Sequence, residues 1–430
     1  MSDETSPKVN NVLGSKAQVA SLTKVSSRRQ NPVLHQPNEL RIGVVGLGLA
    51  GAGMIPALVA HPNCSLSGAA ELNETLRSRF AREFTCTIVD DIHSLITRAD
   101  IDAVYLATPH RFHVEHAVLA ADHGKHVIVE KPMALTLEGC DSIIEAAERN
   151  GVTLIVGHTH GFDPAIGVMR NIISEGKMGR LAMIAMWNYT DFLYRPRRPE
   201  ELDTNLGGGI LYNQVPHQVD IARSLTGSEL RSIRATAAVL DIERSTEGCC
   251  SALLDFTSGA VANLVYSGYD RFDSDEFHDW IGSKGQPKSP DHGATRRALQ
   301  SIRGGDGEES ARTSLYGFGG AKRKAKSTGE SWHQPHFGTL IVTCEGGDMR
   351  PSKDGVLIYG DDGVSEIRLP PSNGFSGRTE VLDELWNAVA HGIKPIHDGH
   401  FGRGTVDACL GIKKSAQERR EYIFSSEKQP

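Results

Sequence analysis

From residue 41 onward, short apolar runs alternate with stretches of helical spacing. RIGVVGLGLAGAGMIPALVAHP predicts a strand, a glycine turn and a helix. SLSGAAE (65–71) predicts a second strand, NETLRSRFAREF a helix, and CTIVDDIHSLITRAD a short strand and a helix. DAVYLATP is a strand ending at proline, and HRFHVEHAVLAADHG is a helix closed by glycine. KHVIVEKP, EGCDSIIEAAERNG and VTLIVGH continue the alternation through residue 157. Strands alternating with helices predict a Rossmann-like, doubly wound parallel sheet, an α/β fold.

Beyond residue 160 the texture changes. DPAIGVMRNIISEGKMG predicts a helix and LAMIAMWNYT a strand. LRSIRATAAVL, CCSALLDF, AVANLVYSGY and GVLIYG read as further strands with few helices between them. This predicts a C-terminal α+β domain on a large open, mostly antiparallel sheet. TEVLDELWNAVAHG and TVDACLGIKKSAQERR predict two amphipathic helices near the end. Residues 282–330 are rich in Gly, Ser, Lys and Arg and read as a basic, flexible, solvated insertion with at most one short helix. Residues 1–38 lack periodicity and read as a disordered tail. The expected division is therefore a tail, 1–38; a nucleotide-binding domain, 39–160; and a substrate and oligomerisation domain, 161–430.

Composition narrows the function classes. The 430 residues carry a net charge of -7, so bulk electrostatics point to neither nucleic acid nor an anionic membrane. No apolar run reaches membrane-spanning length. The seven cysteines are scattered without a C-x-x-C pair, which favours a reducing cytoplasm over a disulfide framework or zinc site, and no metal is expected.

GVVGLGLAG places Gly46, Gly48 and Gly51 in a G-x-G-x-x-G pattern between a predicted strand and helix. Such a turn lets a pyrophosphate approach the backbone at a helix N-terminus. Glu71, at the end of the second strand, stands where the fingerprint's ribose-binding carboxylate belongs. A carboxylate accepts from two ribose hydroxyls and repels a 2′-phosphate, so NAD is favoured over NADP. Arg77 and Arg79 lie close enough in sequence to meet such a phosphate.

VIVEKPMALT brings Glu130 and Lys131 to the carboxyl end of a strand, where ligands bind in open α/β sheets. A lysine there acts as acid or base if its pKa falls from about 10.4 towards neutrality. In GGGILYNQVPHQVD, Asn213, His217 and Asp220 stand at i, i+4 and i+7, one face of a helix. Asn213 is a candidate for a substrate hydroxyl or for an N-cap. His217 is a candidate proton relay with Asp220 orienting its ring, or a core histidine.

GVVGLGLAG, YLATPHRFHVEHAVLAADHGKHVIVEKPMAL and GGGILYNQVPHQVD together resemble the Gfo/Idh/MocA dehydrogenases. The resemblance implies a Rossmann domain joined to an open-sheet domain, hydride transfer between a nicotinamide and a hydroxyl-bearing substrate, and a homo-oligomer. It makes Lys131 the catalytic lysine and His217 its partner across the nicotinamide pocket, with Asn213 replacing the aspartate common in the family. By the same topology Thr108, Pro109 and His113 fall near the cofactor, with His110 beside them. GHTHGFDPAI, DFLYRPRRPEELDTNLGGGILYNQVPHQVD and HFGTLIVTCEGGDMRPSKDGVLIYGDDG look like the branch of phthalate 4,5-cis-dihydrodiol dehydrogenases. That branch implies oxidation of a carboxylated ring cis-diol to a catechol. Arg195, Arg197 and Arg198 would hold the carboxylates, or pair with Glu200 and Glu201. His158 and His160 would reach the same cleft. The other readings are a sugar, inositol or hydroxy-acid dehydrogenase on the same fold, and a dinucleotide-binding regulator without catalysis.

Overall fold

The computed structural model describes residues 38–302, 307–321, 332–372, 375 and 377–424. Residues 1–37 of the expected N-terminal tail, and 303–306 and 322–330 of the basic segment, lie outside the described residues.

The first sheet is built by β1 (Leu40–Val45), α1 (Leu49–Ala60), β2 (Cys64–Ala70), α2 (Glu74–Glu83), β3 (Thr87–Val89), α3 (Ile92–Ile96), β4 (Ala103–Leu106), α4 (His113–Asp122), β5 (His126–Glu130), α5 (Leu137–Asn150) and β6 (Leu154–Gly157). Its order is β3-β2-β1-β4-β5-β6, all parallel. The near-continuous apolar strands follow from burial on both faces, Val44 and Tyr105 on one and Val104 and Val129 on the other. Val45 pairs with both Ala70 and Leu106, so three carboxyl ends finish level. The order reverses between β1 and β4, and that switch point opens the crevice where ligands bind in such sheets.

The second sheet follows α6 (Pro164–Ser174). Its elements are β7 (Leu181–Tyr189), α7 (Gly209–Asn213), α8 (Val215–Thr226), β8 (Leu230–Ala238), β9 (Cys249–Phe256), β10 (Val261–Ser267), α9 (Ala294–Gln300), α10 (Gly307–Tyr316), β11 (Thr339–Cys344), β12 (Gly347–Ser352), β13 (Gly355–Gly360), β14 (Gly363–Arg368), α11 (Arg378–His391), α12 (Gly399–Glu418) and β15 (Tyr422–Ile423). The order is β14-β13-β12-β11-β7-β10-β9-β8-β15, antiparallel except for β7 beside β10. Strand alternation is strict where one face is covered. Ile184 and Met186 are buried with Val219 of α8, whereas Met183, Trp187 and Leu253 are exposed.

The last two helices return to the first sheet. Val381, Leu382 and Leu385 of α11 join the core of α1, β1 and β4, and Val406 of α12 joins the opposite core with α5 and β6. Among the described residues no helix is long and apolar enough to cross a membrane.

The segment expected to be a solvated basic loop is corrected by the structure. Two helices form in it, α9 and α10. Leu299 is buried and Phe318 sits in the core of the first sheet. The arginines and lysines dominate the composition, but several are not solvated: Lys288 pairs with Asp273 and Asp275, Arg296 donates to Tyr269 O and Arg312 pairs with Glu201.

Candidate active site

Gly46 has φ +91, a left-handed conformation that favours glycine. A Cβ at Gly51 would lie 1.8 Å from the Gly46 carbonyl oxygen, so helix and turn pack too closely for any side chain. A Cβ at Gly48 would meet nothing within 4 Å. The backbone there faces open space at the start of α1, the cradle that a pyrophosphate requires.

Glu71 holds this turn. One carboxylate oxygen accepts from the Leu47 N–H at 2.6 Å and the other from Asn73 N–H at 2.8 Å. Each oxygen has two acceptor sites, leaving capacity for ribose hydroxyls. Arg77 Nη1 donates to the carbonyls of Glu71 and Leu72 at 2.8 and 2.7 Å, and its Nη2 pairs with Glu74. Arg79 donates to Phe318 O at 3.3 Å. Both arginines are thus already engaged by protein carbonyls, and Arg77 also by Glu74. Glu71→Ala is expected to weaken NAD binding and narrow the NAD-over-NADP preference about tenfold, ~1.4 kcal/mol. Titration with both dinucleotides checks this; an unchanged ratio removes Glu71 from cofactor choice.

A cleft of about 870 Å³ runs from Gly46, Gly48 and Glu71, past Thr108, Pro109, His110 and His113, to Glu130, Lys131, Asn213 and Gln214. His113 is fully buried between the carbonyls of Thr108 and Pro132, at 2.9 and 2.8 Å. It ties together the loops after β4 and β5, and its buried ring supports the cofactor side as scaffold. Thr108 Oγ1 lies 3.1 Å from His116 Nδ1, and Glu130 accepts from the Tyr105 hydroxyl.

Lys131 Nζ donates to the Asn213 carbonyl at 2.5 Å. Burial pushes its pKa down to about 8, with Glu130 opposing the shift and Arg197 adding to it. The amine is therefore partly neutral near pH 8 and able to accept a proton.

The three arginines line the same cleft. Arg195 pairs with Asp191 at 2.7 Å, and Thr295 also donates to Asp191. Arg197 stacks over the Phe192 ring at 3.8 Å and donates to Phe192 O. Its pKa is pushed down to about 10, chiefly by burial, with Glu201 opposing. Arg198 lies 3.4 Å from Glu200 and 3.6 Å from Glu201. Arg197 and Arg198 thus realise the pairing with the loop's own glutamates while still lining the cleft.

The one-face reading of Asn213, His217 and Asp220 is corrected. The helix breaks at Gln214 (φ -120, ψ -49), so Asn213 ends α7 and His217 belongs to α8. Neither His217 nor His158 lines the cleft. The His217 ring lies 5.0 Å from His160, 4.9 Å from Phe337 and 6.3 Å from His158. Burial holds His217 and His158 well below the usual histidine range. Asp220 turns away from His217, its Oδ1 at 3.8 Å from both His158 Nδ1 and His397 Nε2. The Lys131 charge adds to burial in lowering both His217 and His158. Pro216, in the first turn of α8, is the sequence signal for the break at Gln214, since proline is tolerated at a helix start and not in its interior.

Asp220 is wholly buried, and neither carboxylate oxygen has a hydrogen-bond partner among the described residues. Burial raises its pKa to about 7, with Glu384 adding and His397, Arg223 and Arg170 opposing. A raised carboxyl pKa means the folded state holds the extra proton. Stability is then lost as pH rises from the unfolded value, about 3.9, through about 7. Asp220→Asn is expected to raise the melting temperature more at pH 8 than at pH 5. Thermal scans at both values check it; a greater loss at pH 8 would show that the carboxylate is needed charged.

Residues 40–158 match the family model described as "Oxidoreductase family, NAD-binding Rossmann fold", and residues 167–286 match the GFO/IDH/MocA C-terminal domain. A Comamonas testosteroni protein named 1-carboxy-3-chloro-3,4-dihydroxycyclohexa-1,5-diene dehydrogenase is 38% identical over 379 residues, 87% of this chain and 94% of its own. The chain belongs to the GFO/IDH/MocA oxidoreductase family. A Bordetella bronchiseptica RB50 structure assigned as a dehydrogenase is 43% identical, with TM-score 0.85 over 90% of this chain and 100% of that one. An Agrobacterium radiobacter oxidoreductase solved with NAD+, L-tartaric acid and magnesium shares the fold, at TM-score 0.67 and 15% identity over 90% of this chain and 98% of that one. This GFO/IDH/MocA member carries an NAD-binding Rossmann domain and is an oxidoreductase.

The structure gives a physical reason for an amide rather than a carboxylate at Asn213. Its Nδ2 donates to the carbonyls of Gly207 and Gly209 at 3.1 and 2.8 Å. An aspartate in that rotamer would set a carboxylate against two carbonyl oxygens. Sequence reading missed Gln214 and the α10 residues Arg312, Thr313 and Tyr316, which also line the cleft. Only the apolar and acidic residues of the insertion signalled α10.

Proposed function

We propose that this oxidoreductase is an NAD-dependent dehydrogenase of a carboxylated ring cis-dihydrodiol, with the catechol as product. The observation that carries the reading is the placement of Arg195, Arg197 and Arg198 along the same cleft as Lys131. Three guanidiniums suit a flat diacid better than a neutral polyol. The name of the Comamonas testosteroni relative describes a substrate of this kind, a carboxylated dihydroxycyclohexadiene.

The Gly46–Gly51 turn and Glu71 would hold NAD, which supplies a hydride acceptor when bound. Lys131 Nζ takes the proton of one ring hydroxyl as its carbinol carbon gives up hydride. Asn213 O, bonded to Nζ, fixes the direction of the amine. The ketone formed tautomerises to a catechol, and aromatisation draws the reaction forward. His217, behind the cleft, acts on this site through packing.

NADH formation with a phthalate cis-dihydrodiol, set beside inositols and sugars, tests the reading. Turnover of the dihydrodiol is expected, and turnover only of a polyol would replace it with a sugar-type reaction. Arg195→Ala is expected to raise KM about tenfold for the diacid, ~1.4 kcal/mol, and to leave a neutral dihydrodiol nearly unaffected. Equal effects on both would make Arg195 a structural partner of Asp191.

A further inference from the structure

Helix α10 is fastened to both sides of the dinucleotide cleft. At its start the Glu308 carboxylate accepts from the Arg197 N–H at 3.1 Å and from Arg244 Nη1 and Nη2 at 3.0 and 2.7 Å. Arg244 is almost wholly buried, so this pair is screened little by solvent. In the middle, Arg312 Nη2 lies 2.8 Å from Glu201. Just past its end, Phe318 is buried with its ring 5.6 Å from Phe80 and 5.9 Å from Phe84, aromatic residues on and just after α2. The Phe318 N–H donates to Leu47 O at 3.0 Å. Leu47 lies between the glycines that cradle the phosphates, and Glu71 holds its N–H from the other side.

Between these anchors Arg312, Thr313 and Tyr316 line the cleft opposite the glycine turn. Glu201 faces three guanidiniums, those of Arg197, Arg198 and Arg312, so α10 is tied through one carboxylate to the arginine loop that lines the same cleft. We propose that α10 is a clasp over the bound dinucleotide, with Arg312, Thr313 and Tyr316 facing it, and that NAD enters and leaves when the Phe318 end lets go of the glycine loop. The inference goes beyond the substrate reading and does not rest on it. It makes cofactor exchange slow, so that the dinucleotide outlasts substrate in the site.

Stopped-flow fluorescence of NADH binding to the full chain tests the clasp. Opening a gate speeds both entry and exit. Phe318→Ala is therefore expected to raise association and dissociation rates together, dissociation by at least about tenfold, and Glu308→Gln to do the same from the other anchor. Faster dissociation alone, or rates within twofold of the parent for both variants, would overturn the proposal. If Phe318→Ala does not fold, amide exchange of the unaltered protein decides. Saturation with NAD is expected to slow exchange across residues 307–318, and no slowing would sink the clasp.

Discussion

Lys131→Ala is expected to lower kcat about 10²–10⁴-fold, the usual contribution of a positioned acid or base, while NAD affinity changes little. The amine lines the cleft after β5 while the glycine turn follows β1, and the proposed reading gives it proton transfer. Burial holds it at about pKa 8. The base form gains population as pH rises, so kcat/KM for oxidation should climb with pH and level off above about 8. The variant should lose that limb of the profile along with its rate. Steady-state kinetics from pH 6 to 10 read both effects. A variant with near-parent turnover, or one keeping the same limb, would assign the proton to another group.

Two substitutions in the glycine turn should fail in opposite ways. Gly48→Val places its side chain in open space, with φ -71 available to any residue. The fold should keep its melting temperature while the side chain blocks the pyrophosphate's approach, costing NAD affinity about 100-fold, ~2.7 kcal/mol. Gly51→Val drives Cβ into the Gly46 carbonyl at 1.8 Å. Helix and strand must separate, so stability should fall by several kcal/mol, above the ~1–3 usual for overpacking. Calorimetry beside dinucleotide titration separates the cases. A destabilised Gly48→Val would mean that the turn is tighter than its geometry indicates.

The first sheet was legible because its strands are short runs alternating with helices, three of which carry a side-chain cap at their start. Asn73, Asp91 and Thr136 each accept from a backbone N–H at a helix start. The second sheet was legible in kind but not in extent. β14 is exposed at every position and shows no apolar alternation, so it leaves no mark in the pattern. In the site, Lys131 and Glu71 were readable because strand ends fix them relative to the crevice. His217 and Asp220 were not, because a two-helix corner at Gln214 turned them inward. α10 was hidden by its setting: it is a short polar helix, GEESARTSLY, inside a segment rich in Gly, Ser, Lys and Arg, and the contacts of Glu308, Arg312 and Phe318 that attach it are all long-range.

The closure of both sheets by the last two helices bears on how the chain is made and unmade. A ribosome delivers the whole nucleotide domain before Val381, Leu385 and Val406 exist to seal its two cores. The nascent domain therefore waits with apolar surface uncovered, a window in which chaperone capture or aggregation competes with completion. Once α12 is wedged against α5, β6, α8 and β8, neither sheet can open without stripping the other. Denaturant should then find one cooperative transition across the described fold.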